Sequence, residues 1–384
     1  MTASAAPTTI RTDVLVIGGG QAGLAAGYHL QDQGIDYRVV EADAQIGDVW
    51  RRRYDSLKLY SPAGWDALPG MPFPLPKWTF PTGRQMADYL ESYADHFSLR
   101  VDTGVRVERL VQPAAEGQPY VAIAGNRRYE AGQVIVATGA FQRPHVPAFA
   151  AELAPKIRQL HSSAYRNPTQ LADGPVLIVG LSHSGADLGH EIAATHHVTV
   201  SGRSHGQLPI PLESRRGQLS WPVVAAFFWH VATLDTPIGR KMAPEVKKGG
   251  GPLLRWRKPE LKAAGVELVE ARTIGVQDGK PVLADGRVLD VANLIWCTGF
   301  RTDYGWIDPP IELDEQGWPV QYRGVSSMPG LFFMGVLFQY AFTSMNIHGV
   351  GRDAKYVADR VAERMAAGKR VANAIAATTS TQST

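Results

Sequence analysis

A chain of 384 residues with 45% hydrophobic and 20% charged residues has the length for two or three domains and the composition of an ordinary globular protein. The net charge of +3 is too small to favour nucleic acid or an anionic membrane as a partner. The single cysteine, Cys297, excludes an intramolecular disulfide, a thiolate metal cluster and a redox-active cysteine pair. We therefore predict a reducing, cytoplasmic setting, no bound metal and no membrane span.

The first pattern along the chain is a βαβ unit at residues 13–41. An apolar run at 14–17 predicts a parallel strand buried on both faces, and the apolar residues at helical spacing that follow predict a helix. Between them, Gly18 provides a tight turn, and Gly20 lets the backbone approach a pyrophosphate. Gly23 lets the helix and the strand pack closely, so the three glycines form a dinucleotide-binding fingerprint.

Glu41 completes this fingerprint. It ends the second strand, 23 residues after Gly18, where a carboxylate can accept hydrogen bonds from ribose hydroxyls. The phosphates of the dinucleotide would lie at the positive N-terminal end of the helix. The residues that we predict to contact a dinucleotide here are Gly18, Gly20, Gln21, Ala22, Gly23 and Glu41.

Residues 47–81 are dense in aromatic residues and prolines. This composition predicts a long ordered loop around a flat apolar group, and a lid over the core is the alternative. Residues 84–97 predict a helix, and short strands over 101–137 predict a small inserted sheet. The last of these strands runs into Thr138 and Gly139, which we interpret as a turn against the backbone.

The opening pattern returns after a linker marked by prolines, as an internal repeat. A buried strand at 176–179 precedes Gly180, Ser182 and Gly185 at the spacing of the fingerprint, and a helix and a strand that ends at Ser201 follow. Ser182 adds bulk where the first unit has its middle glycine. The second unit therefore predicts a second dinucleotide site.

Arg203 stands in the second unit where the first unit has Glu41. A carboxylate suits an unmodified ribose, whereas a guanidinium can engage a 2′-phosphate through two hydrogen bonds. The first site therefore predicts FAD or NAD and the second predicts NADP, with a solvated loop arginine as the alternative. The predicted contacts of the second site are Gly180, Ser182, Ser184, Gly185, Ser201 and Arg203.

The chain returns to the first domain after an insertion at 206–260 that shows little periodicity. A strand at 294–297 runs into Thr298 and Gly299, and a further strand and a C-terminal helix follow. We predict an α/β fold with two Rossmann-like dinucleotide-binding domains, the second inserted into the first. The predicted boundaries are 10–168 and 296–371 for the first domain, 169–295 for the second, and disordered tails at 1–9 and 372–384.

Four stretches of the sequence resemble the class B flavoprotein monooxygenases, a group that includes flavin-containing monooxygenases and plant auxin-forming monooxygenases. They are Gly18–Gly23, the segment from Trp50 through Tyr54 to Pro74, Gly180–Gly185 and Trp296–Phe300. The identifying motif of the family is half matched. His161 and Tyr165 fit its last two positions, whereas Pro155 and Ile157 replace its phenylalanine and glycine. The resemblance covers about residues 12–360.

The resemblance implies FAD in the first unit and NADPH in the second. Hydride would pass to the flavin, and the reduced flavin would react with O2 to form a C4a-hydroperoxide that transfers one oxygen atom to a nitrogen, a sulfur or a ketone of a small organic substrate. Further implied cofactor contacts are Trp50, Val107, Thr138, Gly139, Thr298 and Gly299. An NADPH oxidase or reductase with little oxygen transfer and a flavin-binding regulatory protein remain alternatives. A homodimer remains open, because nothing in the sequence indicates the oligomeric state.

Tyr60 is the implied catalytic residue. In flavin-containing monooxygenases an asparagine six residues after the tyrosine of this loop lies beside the flavin, and the count from Tyr54 reaches Tyr60. Tyrosine offers one hydroxyl on a large ring in place of a compact amide, so the resemblance implies weaker support for the hydroperoxide and some release of hydrogen peroxide. The alternative is that Tyr60 points away into the apolar loop.

Overall fold

The computed structural model describes residues 8–115 and 117–381. The helices are α1 (Gln21–Asp32), α2 (Asp48–Arg51), α3 (Gly83–His96), α4 (His183–Ile192), α5 (Arg215–Ala226), α6 (Pro237–Lys247), α7 (Lys258–Ala263) and α8 (Ile347–Thr381). The strands are β1 (Thr8–Ile17), β2 (Tyr37–Val40), β3 (Val101–Asp102), β4 (Arg109–Val111), β5 (Tyr120–Ala124), β6 (Arg127–Val136), β7 (Arg143–Pro144), β8 (Arg158–His161), β9 (Val176–Val179), β10 (Val198–Ser201), β11 (Glu267–Val269), β12 (Thr273–Gln277), β13 (Lys280–Leu283), β14 (Asn293–Trp296), β15 (Phe300–Arg301), β16 (Ile307–Asp308), β17 (Gln321–Tyr322), β18 (Val325–Ser326) and β19 (Leu331–Phe333). No helix in the described ranges combines the length and apolarity needed to cross a membrane.

The larger sheet is built around β1, which pairs in parallel with β2 on one side and with β6 on the other. Val14, Leu15 and Val16 at its centre are fully buried, as expected for a strand that is covered on both faces. The helix α1 connects β1 to β2, which is the crossover that a parallel pair requires. The βαβ unit predicted from the sequence is therefore present at the centre of this sheet.

The smaller sheet has the order β11-β10-β9-β14-β8, and all of its neighbouring strands are parallel. The helix α4 connects β9 to β10, so the second unit repeats the first. The strand β8 lies outside the predicted bounds of the second domain, because the boundary was set at residue 169. Its sequence, Arg-Gln-Leu-His, has a single apolar residue, so hydrophobic periodicity could not identify it as part of a parallel sheet.

The chain crosses from the larger sheet to the smaller one after β6 and returns to the larger sheet after β14. At the crossings, β7 and β15 pair as a short antiparallel ribbon. After the second crossing, β19 pairs with β6, and α8 packs on α1. Val350 and Ala354 of α8 belong with Leu24 and Leu30 of α1 to one buried hydrophobic cluster, the first core. The predicted fold class, an α/β protein with two Rossmann-like domains, is confirmed.

The insertion at 206–260 contains three helices that the sequence did not predict. Both α5 and α6 have a proline inside them, Pro222 and Pro244 respectively. Proline removes a helical hydrogen bond and usually ends a helix, so its presence at these positions hid the helical pattern. The beginning and the end of the insertion meet, because Leu253 N donates to Gly206 O at 2.9 Å and Leu208 N donates to Leu253 O at 2.9 Å.

The structure has regular secondary structure in parts of both tails that the sequence predicted to be disordered. Thr8 and Thr9 belong to β1, and α8 continues through residues 372–381. This segment is rich in alanine, which has the highest intrinsic helix propensity, so it extends the helix that precedes it. The remaining parts of the predicted tails, residues 1–7 and 382–384, lie outside the described residues.

The aromatic loop at 47–81 packs mainly on α3. Tyr89 Oη accepts from Leu68 N and donates to Met71 O, both at 2.7 Å, and Tyr93 Oη donates to Pro69 O at 2.8 Å. Leu59, Leu68 and Phe73 of the loop belong to the first core. This part of the loop is therefore a lid over the core, which is the alternative that the composition left open.

The loop also buries a carboxyl group, because Asp66 is only 1% exposed. Ser61 Oγ donates to Asp66 Oδ1 at 2.5 Å, while Asp66 Oδ2 has no hydrogen-bond partner within the described part of the chain. This burial raises the pKa of Asp66 to about 8. Asp66 is therefore protonated in the folded protein at neutral pH.

We expect Asp66→Asn to remove a pH dependence of stability. The folded protein holds the Asp66 proton up to about pH 8, whereas the unfolded chain releases it near its ordinary pKa of about 4. The free energy of unfolding therefore falls as the pH rises between these values, by at most about 1.4 kcal/mol per pH unit. Asparagine cannot ionise, so thermal unfolding from pH 5 to 8 should show the variant gaining on the wild type as the pH rises. A difference in Tm that is constant across this range would contradict the assignment.

Candidate functional site

The first glycine turn is shaped by close contact between backbone segments. Gly18 has a φ of +112°, and a Cβ there would overlap the carbonyl oxygen of Ala137 at the end of β6. A Cβ on Gly23 would overlap the carbonyl oxygen of Gly18. Glycine is therefore required at both positions by the protein itself, because α1 and β6 approach the turn so closely.

Gly20 is different, because a Cβ there would meet no protein atom within 4 Å. The space in front of the N-terminus of α1 is therefore open. Backbone N–H groups at a helix N-terminus attract anions, and an open approach suits the pyrophosphate of a dinucleotide. The turn fits the predicted cofactor, with Gln21 and Ala22 in the first turn of the helix.

Glu41 is oriented by two backbone donors. Gly19 N donates to Glu41 Oε2 at 2.6 Å, and Asp43 N donates to Glu41 Oε1 at 2.8 Å. These bonds hold the carboxylate beside the glycine turn, and each oxygen keeps a further lone pair for a ribose hydroxyl. The segment that leads to Val107 passes next to it, because Val105 N donates to Glu41 O at 2.8 Å.

Two further predicted residues, Thr138 and Gly139, follow Ala137 and therefore lie next to this turn. Gln142 Nε2 donates to Thr138 Oγ1 at 3.0 Å and to Gly139 O at 2.9 Å, which fixes the turn after β6. A residue that the sequence did not single out, Gly335, also reaches this place, because a Cβ on it would lie 3.1 Å from that of Ala22. The sequence feature that could have identified Gly335 is a glycine two residues after a buried strand.

Trp50 lies on α2 and packs against both the first core and the core of the smaller sheet. Its indole Nε1 is buried and has no hydrogen-bond partner among the described residues. A buried donor of this kind usually has an acceptor, so Trp50 fits the predicted role of a cofactor contact.

The second glycine turn is built in the same way as the first. Gly180 has a φ of +121°, and a Cβ there would overlap the carbonyl oxygen of Cys297 at the end of β14. A Cβ on Gly185 would overlap Gly180 O. Thr298 and Gly299 follow Cys297, so they stand to the second turn as Thr138 and Gly139 stand to the first.

His161, from the half-matched motif, is tied to this turn. Its Nε2 hydrogen-bonds Gly299 O at 3.0 Å, and His145 N donates to the same carbonyl oxygen at 3.0 Å. Thr298 Oγ1 in turn donates to His145 O. The other motif residue, Tyr165, is fully buried and donates to Glu191 Oε2 at 3.1 Å. His161 therefore supports the backbone around the second turn, and Tyr165 fixes the C-terminal end of α4.

Ser182 has a partner that its counterpart Gly20 lacks. Its Oγ accepts from Gly251 N at 3.0 Å and donates to Gly251 O at 3.1 Å. Gly251 comes from the insertion, so the segment at 249–251 lies against the start of α4. Ser184, the second residue of the helix, remains half-buried. The Gly251 segment thus lies beside the second turn, at the position where the first turn has no such neighbour among the described residues.

Arg203 and Ser201 have opposite environments at the end of β10. Arg203 is exposed, and its guanidinium forms no hydrogen bond or ion pair within the described ranges. Ser201 is fully buried, and its Oγ pairs with Thr273 Oγ1 at 2.7 Å. The Ser201 hydroxyl is therefore directed to β12, and a contact between Ser201 and a cofactor stays a prediction.

A buried polar network joins the aromatic loop to α4. Tyr60 Oη donates to Asp187 Oδ2 at 2.7 Å, and Tyr54 Oη donates to the same oxygen at 3.0 Å. Arg255 from the insertion lies 3.6 Å from this oxygen and donates through Nη2 to Leu59 O at 2.7 Å. The sequence did not identify Asp187 or Arg255, because an acid in a helix and an arginine in a loop carry no motif.

This network changes the interpretation of Tyr60. Burial, together with Tyr54 and Asp187 beside it, raises the pKa of Tyr60 well above its usual range, so the hydroxyl stays protonated and donates. Its ring lies 5.2 Å from the ring of His183, and the guanidinium of Arg255 lies 5.1 Å from its centroid. Tyr60 thus faces α4 of the second unit and does not point away into the apolar loop, and its place beside the flavin stays a prediction.

Comparisons with known proteins agree with this geometry. A family model described as pyridine nucleotide-disulphide oxidoreductase matches residues 15–212. An uncharacterized oxidoreductase of Geobacillus kaustophilus, CzcO-like, is 38% identical over 90% of this chain and 97% of that protein. The flavin-containing monooxygenase from Stenotrophomonas maltophilia has a similar structure, with a TM-score of 0.72 and 26% identity over 92% of this chain and 98% of that one. The probable indole-3-pyruvate monooxygenase YUCCA9 of Arabidopsis thaliana is 27% identical over 90% of this chain and 88% of that protein.

Two glycine turns of identical construction define an oxidoreductase with two dinucleotide sites. The chain belongs to the pyridine nucleotide-disulphide oxidoreductase family. Its similarity to flavin monooxygenases agrees with the resemblance to the class B flavoprotein monooxygenases. Solved structures of the same fold include a monooxygenase in complex with FAD and NADP, in agreement with the predicted pair of cofactors.

We expect Gly20→Val to fold and to lose FAD. A Cβ at this position meets no protein atom within 4 Å, so the valine side chain would enter the space that we assign to the pyrophosphate. The flavin-to-protein ratio, read from the absorbance of purified protein, should fall close to zero, while the Tm stays close to that of the wild-type apoprotein. Gly275→Ala, in β12, is the control, since a Cβ there also meets no protein atom within 4 Å and the residue lies outside the left-handed region. Full FAD retention in Gly20→Val would contradict the assignment of this turn.

Proposed function

We propose that the protein is an FAD- and NADPH-dependent monooxygenase that transfers one oxygen atom from O2 to a small organic substrate by N- or S-oxygenation or by a Baeyer–Villiger reaction. The observation that carries this proposal is the pair of similar glycine turns, each in a βαβ unit that is followed by Glu41 in the first case and by Arg203 in the second. A carboxylate suits the free ribose of FAD, and a guanidinium suits the 2′-phosphate of NADPH.

In this proposal FAD would be held by the first turn. Gly18, Gly20 and α1 would take the pyrophosphate, Glu41 would take the ribose, and the indole N–H of Trp50 would donate to the cofactor. FAD, when bound, supplies hydride acceptance and the activation of oxygen. The protein contributes the orientation of the groups and the exclusion of water.

NADPH would be held by the second turn. The start of α4 would take its pyrophosphate, and Arg203 would take the 2′-phosphate, with Ser204 beside it. The Gly251 segment lies against Ser182, so it would form one wall of this site. Arg203 is exposed and has no ion-pair partner among the described residues, which supports its assignment, since a guanidinium that already held a carboxylate would be less available for a phosphate.

Disulphide reduction, which the name of the family includes, does not fit this chain. Cys297 is its single cysteine, and such chemistry needs a pair. Burial raises the pKa of Cys297 to about 12, so the reactive thiolate is suppressed at neutral pH. The proposal therefore assigns Cys297 a structural place at the end of β14.

An NADPH oxidase with little oxygen transfer is the second candidate, and one observation favours it. The Tyr60 hydroxyl, in the position where the resemblance has an asparagine, is bound to Asp187. It is therefore unavailable as a free donor to reduced oxygen species at the flavin. A screen of amines, sulfides and ketones, with NADPH consumption, hydrogen peroxide and product mass measured together, distinguishes the two candidates. No NADPH consumption with any acceptor, despite bound FAD, would favour a regulatory flavoprotein.

We expect Arg203→Ala to weaken NADPH binding selectively. A charge-assisted contact to a phosphate contributes about 1.5–3 kcal/mol, or roughly ten- to a hundredfold in affinity. KM for NADPH should rise by this factor, while KM for NADH, which lacks the 2′-phosphate, stays nearly constant. Steady-state kinetics with both cofactors measure the effect, and Arg272→Ala, another arginine of this domain, serves as the control. An equal rise for both cofactors would mean that Arg203 supports the fold and does not read the phosphate.

We expect the native enzyme to release hydrogen peroxide while it oxidises NADPH, and Tyr60→Asn to reduce that release. Asparagine brings two donors in a compact group, and one net hydrogen bond of about 1 kcal/mol corresponds to roughly a fivefold change in the peroxide-to-product ratio. Tyr60→Phe is the matched variant, because it also removes the bond to Asp187 but adds no donor. Its ratio should stay near the native value. Similar ratios in all three proteins would rule out this role for position 60.

A further inference from the structure

Three consecutive arginines on and after α2 have different partners. Arg51 pairs with Glu91 at 2.5 Å and with Asp48 at 3.2 Å, and Arg52 pairs with Asp43 at 2.5 Å. The guanidinium of Arg53 forms no ion pair and no hydrogen bond with any residue that the structure describes.

Arg53 is half-buried and lies between aromatic rings. Its guanidinium carbon lies 5.3 Å from the ring centroid of Phe141 and 5.8 Å from that of Phe300. The two rings are themselves 5.2 Å apart, and the ring of His161 lies 5.0 Å from that of Phe300. Burial lowers the pKa of Arg53, and the charged or titratable groups that act on it are Tyr54, Tyr60 and Arg166.

None of these neighbours provides a negative charge at neutral pH. The tyrosines are protonated, because burial raises their pKa values, and Arg166 is a second cation. Aromatic ring faces attract a cation, but their contribution does not replace the hydration that a partly buried guanidinium loses. Arg53 therefore carries a positive charge that no described residue neutralises, at a place where two ring faces lie against it.

The position of this charge is the junction of the two cofactor turns. Phe141 comes two residues after Gly139 of the first turn, and Phe300 directly follows Gly299 of the second. The phosphates of the two proposed cofactors already have partners, since the glycine turns take the pyrophosphates and Arg203 takes the 2′-phosphate. A third molecule is therefore the source of an anion that this assignment of the phosphates leaves for Arg53.

We propose that Arg53 binds the carboxylate of a small organic acid, and that the substrate of this enzyme is a carboxylate-bearing molecule whose apolar part lies against Phe141 and Phe300. A guanidinium matches a carboxylate through two parallel N–H···O bonds, and an enclosed site strengthens them. The inference rests on the proposed function, because it places the substrate between the two cofactor turns.

The experiment compares acids with their neutral amides on the FAD-loaded protein by isothermal titration calorimetry. The pairs are phenylacetate with phenylacetamide and hexanoate with hexanamide, which differ only in charge and in one donor group. The wild type should bind the acid of at least one pair about tenfold or more tightly than its amide. Arg53→Gln should abolish this preference, and Arg53→Lys should retain part of it, because lysine keeps the charge but not the planar fork.

Arg52→Gln is the matched control. Arg52 is the neighbouring residue, its side chain is 52% exposed, and it already has Asp43 as a partner, so this variant should keep the full preference for the acid. The Tm of Arg53→Gln without ligand should equal or exceed that of the wild type, because the change removes a partly buried charge that no described residue neutralises. A Tm above that of the wild type also shows that lost binding in Arg53→Gln does not come from misfolding.

Three results would overturn the inference. They are equal binding of acid and amide by the wild type in both pairs, a preference that survives in Arg53→Gln, and a tenfold weaker NADPH binding in Arg53→Gln, which would assign the charge to a cofactor phosphate. Reduction of the bound flavin by NADPH, measured in the same preparations, tests the proposed function separately. Its absence in the wild type would refute the monooxygenase proposal, whereas its presence without a preference for acids would refute only the role of Arg53.

Discussion

The structure depends on a contact between backbone segments that leaves no space for a side chain. At the first turn Gly18 touches the end of β6 at Ala137, and at the second turn Gly180 touches the end of β14 at Cys297. The helix residue Gly23 lies against the carbonyl oxygen of Gly18, and Gly185 lies in the same way against that of Gly180. Because the strand, the turn and the helix meet this closely, each helix N-terminus points to the edge of its sheet, where the carboxyl ends of parallel strands leave a crevice for a dinucleotide.

The buried network around Asp187 relates the two units to each other. One carboxylate oxygen accepts from Tyr54 and Tyr60 of the first unit, and the Arg255 guanidinium of the insertion lies beside it. Removing one partner of a buried charge usually destabilises a protein strongly, because the remaining charge keeps its desolvation cost without compensation. Asp187 therefore couples the aromatic loop, α4 and the insertion, and it holds the Tyr60 side chain against the second unit.

Arg53 and Asp187 show two ways in which a charge is accommodated near the junction of the units. Asp187 is neutralised and hydrogen-bonded within the protein, so it serves the structure. Arg53 has, within the described part of the chain, the ring faces of Phe141 and Phe300 and no anionic partner. A charge that the fold does not neutralise is the more informative of the two about ligands, because its desolvation is offset only when a partner binds.

The main features of the fold were predictable from the sequence alone. The two apolar strands with their glycine turns and helices, and the acid or arginine at the end of each unit, predict the fold class and both dinucleotide sites, because these features are local in the chain and have a fixed spacing. Local patterns were less informative where other parts of the chain override them. The strand β8 has too few apolar residues to be detected, α5 and α6 contain prolines, and residues 372–381 extend a helix that begins far upstream.

The tertiary structure alone decided how side chains distant in the chain meet. Tyr60 and Asp187 are 127 residues apart and share a hydrogen bond, Ser182 and Gly251 are 69 residues apart and share two, and Ser201 turns inward to Thr273. A sequence pattern records which residues share a face of one helix or strand, but it does not record which face of another element they meet. The partner of a polar side chain is set by packing between elements, and for that reason the site's framework was predictable, whereas the partners of Tyr60, Ser182 and Arg53 were not.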